Sequence, residues 1–115
     1  YEKETTTEPK KPPGKIAIIE WFHKNEVPRR AGLDSKNMVE SWFHGLISRA
    51  EAEMLLNEKP SGTFLVRVSE RIWGYAITYR DNGKCKHYLV DASSDSYKFL
   101  GTNHVCHNTL GKKLK

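Results

Sequence analysis

The sequence predicts a single α+β domain built on an antiparallel sheet, and three stretches carry that prediction. Residues 62–70 send Phe64, Val66 and Val68 to one side of an extended chain and Leu65, Arg67 and Ser69 to the other, the two-residue period of a strand. Asn82-Gly83, a strong hairpin signal, separates the aromatic and β-branched run 74–80 from the run 84–90, so those two segments pair antiparallel. Ser48 followed by Glu51 has the spacing of a capping box, and Ala50, Met54 and Leu55 then supply an apolar face up to Asn57, before Pro60-Ser61-Gly62 ends the helix. A chain of 115 residues has room for one such core.

In chain order, residues 1–37 read as an N-terminal linker. Thr5-Thr6-Thr7, Pro9, Pro12-Pro13 and Gly14 lie among lysines and glutamates with no apolar face to bury. Ile18, Ile19 and Phe22 recur at helical spacing, which predicts a short amphipathic helix over 16–25, stopped by Pro28. Residues 27–35, with Pro28, Gly32 and two arginines, form a second connection, and the domain proper runs over 38–115. Arg49 falls in the first turn of the capped helix, where a cation opposes the helix dipole and should face an anion. On the strand after Asn82-Gly83, Cys85, His87 and Leu89 share one face and Lys86, Tyr88 and Val90 the other. Apolar groups on both sides imply a sheet covered twice. Residues 91–96 make a polar turn, 97–100 a short strand, and 103–110 a connection entering a helix.

Composition narrows the function classes. Hydrophobic residues at 37% and charged residues at 29% fit a soluble globular domain with a polar extension. The apolar run at 16–19 is far short of a bilayer span, and no secretory signal pattern opens the chain, so no membrane span is expected. Two cysteines are too few for a disulfide-built secreted fold, which favours a reducing, cytoplasmic setting. A net charge of +5 suits an anionic partner without identifying one. Nucleic acid is the main partner of another kind, but the excess lies at Lys10-Lys11, Arg29-Arg30 and the C-terminal lysines, with no nucleic-acid-binding signature beside it. Cys85, His87, His104, Cys106 and His107 lack zinc-site spacing, so neither metal nor other cofactor is expected. No nucleophile elbow or glycine-rich nucleotide loop points to an enzyme.

Arg67 carries the functional signal. A guanidinium delivered to the inside of a strand is costly unless paired, and this strand has no acid before Glu70. The counter-charge is either a core acid such as Asp91 or Glu53, which makes Arg67 structural, or a bound anion. A planar fork of N–H donors, a hydroxyl two residues on at Ser69 and then a turn suit the oxygens of a phosphate.

Trp42-Phe43-His44-Gly45, Ile47-Ser48-Arg49, residues 62–70, residues 74–79 and Lys86-His87-Tyr88 together resemble, in order and spacing, the Src-homology 2 (SH2) domain over roughly residues 42–110. The resemblance implies an antiparallel sheet between two helices that binds tyrosine-phosphorylated peptides and catalyses nothing. It makes Arg67 the clamp on the phosphate and has Arg49 close over ring and phosphate. Ser69 would add its hydroxyl and Glu70 and Arg71 their backbone N–H groups, while Ala76 leaves room for the phenyl ring and His87 borders the pocket. Tyr88 and Leu89 would bear on the residues after the phosphotyrosine. Two departures are visible: Leu89 stands where members of the family often carry a lysine or arginine, and residues 109–115 stop where the second helix should run on. The expectation is therefore a monomeric phosphotyrosine-binding adaptor module of intracellular signalling with a short or incomplete second helix. The alternative is a shortened variant with weak or no phosphopeptide binding, a decoy or non-functional isoform.

Overall fold

The computed structural model describes residues 11–100 and the two-residue strand Cys106–His107. The order is α1 (Lys15–Trp21), extended by a π-helical turn (Phe22–Glu26), then α2 (Arg49–Leu56), β1 (Phe64–Val68), β2 (Gly74–Asp81), β3 (Lys84–Asp91), β4 (Tyr97–Phe99) and β5 (Cys106–His107). The five strands lie side by side in chain order, every neighbour antiparallel. Asn82 and Gly83 both take positive φ in the β2–β3 turn, the conformation that a tight hairpin demands and that Asn-Gly tolerates. Gly74 is required for a different reason. A Cβ there would lie 2.0 Å from the Val90 carbonyl oxygen, so only glycine lets β2 start so close to β3.

Helix α2 is capped as its sequence dictates. Glu51 N–H donates to Ser48 Oγ (3.0 Å) and Ser48 N–H to Glu51 Oε1 (2.8 Å). The bond from the Ser48 N–H, first among the causes, lowers the Glu51 carboxyl below its usual range. The helix buries Ala52 and Leu56 against Leu65 on one face of the sheet. On the other face, Val66, Val68, Tyr75 and Val90 pack with Ile18 and Ala31, and Trp21 and Phe22 close over them. Both faces are covered, the outcome that strand β3 with apolar groups on each side requires.

The second cover comes from an unexpected part of the chain. The boundary at residue 38 sets aside 1–37 as linker, yet Ile18, Glu26 and Ala31 are buried in the core, Glu26 completely. Burying an isoleucine alone contributes about 1.5–3 kcal/mol, so α1 is fastened to the sheet and does not merely precede it. Glu26 Oε1 accepts from Tyr75 OH (2.7 Å) and Tyr97 OH (2.8 Å), and Oε2 pairs with Arg29 (3.1 Å). Arg29 in turn lies over the Tyr97 ring at 4.0 Å and donates to the Ser94 and Asp95 carbonyls. Gly32, at φ 77°, passes over the Phe43 ring where a Cβ would sit 2.6 Å from its atoms. Pro28, without an N–H, fits the end of the helical ladder just after Glu26.

The α+β class and the antiparallel sheet flanked by helices stand. Within the stretch read as entering a helix, Cys106 and His107 pair instead with Lys98 and Tyr97 as β5. The remainder of that expected second helix, and the linker residues 1–10, lie outside the described residues. No helix among the described residues is long and apolar enough to cross a membrane.

Candidate functional site

The site is built on the sheet face that carries α2. Strand register sets two ranks of side chains across β1, β2 and β3: Leu65, Thr78 and His87 in one, Arg67, Ala76 and Leu89 in the next. Alternation along β1 then brings Ser69 to the same face, where the chain turns away, its N–H bonded to the Gly74 carbonyl (2.9 Å). The first two turns of α2 overhang these ranks and contribute Arg49 and Glu53.

A cavity of about 490 Å³ opens between these elements. All nine residues singled out from the sequence, Arg49, Arg67, Ser69, Glu70, Arg71, Ala76, His87, Tyr88 and Leu89, line it. Arg67 is only 8% exposed. Its Nε donates to Thr78 Oγ1 (3.3 Å) and its NH2 group lies 3.5 Å from His87 Nδ1, neither partner an acid. Neither proposed core acid pairs with it: Asp91 accepts from Ser93 Oγ at both carboxylate oxygens, and Glu53 Oε2 lies against His87 Nε2 (2.7 Å) and Arg49 Nε (3.6 Å). Among the described residues no carboxylate forms an ion pair with Arg67. Burial, and after it the charge of Arg49, pull the Arg67 guanidinium below its ordinary pKa. Its charge is thus held under strain that an anion in the cavity would relieve.

Arg49 is exposed, with Nε turned to Glu53, which answers the dipole argument: the anion facing this first-turn cation is one turn along its own helix. Glu53 is lowered in pKa mainly by the hydrogen bond from His87. Ser69, almost fully buried, receives the N–H groups of Arg71 (3.0 Å) and Ile72 (3.3 Å) on its hydroxyl oxygen. That use differs from the expected one. The oxygen shapes the loop, its own proton stays available to donate, and the Arg71 amide is already engaged, which leaves the Glu70 N–H without a partner among the described residues. At the outer rim Tyr88 stacks on Tyr79, ring centroids 5.6 Å apart.

Three participants escaped the sequence reading or entered it in another role. Thr78 holds both Arg67 and His87, the latter at 2.8 Å. Its signal was present, since it follows Ala76 by two residues and so shares its face. Glu53 figured only as a rival counter-ion for Arg67. Lys86 also lines the cavity, its Nζ 2.8 Å from Asp81 Oδ2 across the hairpin.

Comparison with known proteins agrees with this geometry. A family model described as SH2 domain matches residues 42–112. The chain is similar to an SH2 domain-containing protein 4A of Xenopus tropicalis, 50% identical over 94 residues, 81% of this chain and 21% of that protein. It is 36% identical over 99 residues to a hematopoietic SH2 domain-containing protein of Mus musculus, 86% of this chain and 28% of that one. The chain thus spans less than a third of the length of these curated relatives, and their alignments reach into the segment before Trp42. Among solved structures, the SH2 domain of a CRK/CRKL homologue from Monosiga brevicollis superposes with a TM-score of 0.57 at 32% identity, over 70% of this chain and 78% of that one.

Proposed function

The chain belongs to the SH2 domain family, and from that premise we propose that its cavity receives the phosphate of a phosphotyrosine, making the domain a phosphotyrosine-dependent peptide-binding adaptor module of intracellular signalling. The observation that carries the proposal is the buried Arg67 guanidinium, which opens on a cavity and has no carboxylate partner among the described residues. A phosphotyrosine brings about −1.5 to −2 charges at neutral pH, which Arg67 and Arg49 together balance. Arg67 presents its remaining terminal N–H groups as a bidentate fork. The Ser69 hydroxyl and the Glu70 amide add donors from the loop. Ala76, opposite Arg67 in the register, leaves room for the phenyl ring. Tyr88 and Leu89 at the rim are placed to touch the residues that follow.

Plain tyrosine brings no anion and leaves the buried Arg67 guanidinium unmatched, which is the basis of discrimination. Nothing in this scheme makes or breaks a bond, so the domain acts by binding alone, as a monomer in the cytoplasm. The test is calorimetric titration of the chain with a tyrosine-peptide library in phosphorylated and plain forms, with Arg67→Ala as control. The phosphorylated forms bind, and the substitution costs about 2–5 kcal/mol, the usual loss when one partner of a buried charge pair is deleted. Equal affinity for phosphorylated and plain peptides would favour a weakly binding or decoy variant. Unchanged phosphopeptide affinity in Arg67→Ala would overturn the pocket assignment.

A further inference from the structure

One carboxylate oxygen beside the pocket faces two of the basic groups that line it. Glu53 Oε2, on the second turn of α2, lies 2.7 Å from His87 Nε2 and 3.6 Å from Arg49 Nε. On the far side of the imidazole, Nδ1 is 2.8 Å from Thr78 Oγ1 and 3.5 Å from the Arg67 NH2 group. Arg67 NH2 can only donate, so Nδ1 serves it only as a bare acceptor. A carboxylate at Nε2 demands the proton there. The arrangement is self-consistent when Glu53 accepts from Nε2–H and the single lone pair of Nδ1 takes the Thr78 hydroxyl proton and faces the Arg67 NH2 group, while the Thr78 oxygen takes Arg67 Nε–H.

We propose that Glu53 is a positioning residue of the anion pocket: through His87 it fixes the inner side of the Arg67 guanidinium, and through Nε it holds Arg49, so that both arginines turn their terminal N–H groups toward the cavity. The consequence for affinity rests on the phosphotyrosine reading; the protonation pattern does not. Coulomb's law alone makes the opposite prediction, because a carboxylate beside a site for a dianion weakens binding. Substitution therefore separates the two by sign. Glu53→Gln keeps an acceptor for Nε2–H and discards the charge, whereas Glu53→Ala discards both. Glu53 is partly exposed on the helix surface, and both variants are expected to fold.

The experiment has two arms on the full chain. Imidazole 15N spectra of the ligand-free protein should show His87 protonated at Nε2 and bare at Nδ1; a proton on Nδ1, alone or in a doubly protonated ring, overturns the proposal. Titration with a phosphotyrosine peptide should show Glu53→Ala binding about tenfold more weakly, the low end of what loss of an orienting outer partner produces, with Glu53→Gln at or above the unmodified affinity. If both variants bind more tightly, Glu53 is a repulsive charge and not a positioning residue. If Arg67→Ala binds as well as the unmodified chain, the phosphotyrosine reading fails while the 15N result still decides the protonation pattern.

Discussion

Replacing Glu26 by alanine removes the acceptor of two buried hydroxyls and the carboxylate partner of Arg29 in a single step. Tyr75 and Tyr97 are themselves completely buried, so water cannot take over their O–H groups without opening the core. Orphaning a buried hydrogen-bonding group costs about 1–3 kcal/mol, and Arg29 keeps the Ser94 and Asp95 carbonyls and the Tyr97 ring but no carboxylate. The loss should come to about 3–5 kcal/mol, a large share of the 5–15 kcal/mol that is about all a domain of this kind has. Glu26→Gln should fall between, because an amide oxygen at the Oε1 position keeps both hydroxyl bonds while the amide nitrogen faces Arg29 and cannot accept from it. Urea unfolding of the three chains measures this directly. Phosphopeptide affinity should not move in variants that remain folded, because Glu26 lies on the α1 side of the sheet and the cavity on the α2 side. A Glu26→Ala chain within about 1 kcal/mol of the unmodified one would refute the reasoning. So would a chain starting at Met38 that melts unchanged, since residues 1–37 would then be the linker that their composition suggests.

The same network makes the domain sensitive to alkali. Burial, and then the charge of Glu26, raise both the Tyr75 and Tyr97 phenols above their ordinary pKa. The folded chain therefore keeps two protons that the unfolded chain releases near pH 10, and stability is complete below that pH and falls above it, by up to about 2.7 kcal/mol per pH unit. Denaturant midpoints between pH 8 and 11 should show the fall, and Tyr75→Phe with Tyr97→Phe should flatten it; a flat profile in the unmodified chain would contradict the burial argument. In the pocket, Thr78→Val keeps shape and removes the hydroxyl that receives Arg67 Nε. Titration should show phosphopeptide affinity falling about two- to tenfold, the worth of one neutral hydrogen bond, and no change would mean that Thr78 does not hold Arg67.

Local patterns made most of the sheet legible. The capping box at Ser48 and Glu51, the Asn82-Gly83 turn and the alternation through Arg67 each depend on residues near in sequence, and each is realised where its pattern falls. Alternation also explains why Arg67, Ser69, Ala76, His87 and Leu89 meet in one cavity, since a strand's face is fixed by parity alone. What stayed hidden depends on partners distant in sequence. Glu26 sits in a polar stretch with Pro28 and two arginines and looks like solvated linker, because its tyrosine partners are 49 and 71 residues away. Glu53, 34 residues from His87, looks like one more acid on a helix surface.

Glu26 and Arg67 are two buried charges in one small domain, and their different fates follow from one requirement. A charge taken out of water needs compensation at the place where it is buried. For Glu26 the chain provides it in full, with Arg29 and two hydroxyls at hydrogen-bonding distance, and the result is a fastening between α1 and the sheet. For Arg67 the described residues provide a hydroxyl and an imidazole but no anion, while both nearby candidate acids are committed elsewhere. The first is therefore a matter of stability and the second of binding. Removing Glu26 should destabilise the domain without altering what its folded form recognises, and removing Arg67 should abolish recognition while relieving a charge that the fold alone leaves unmatched.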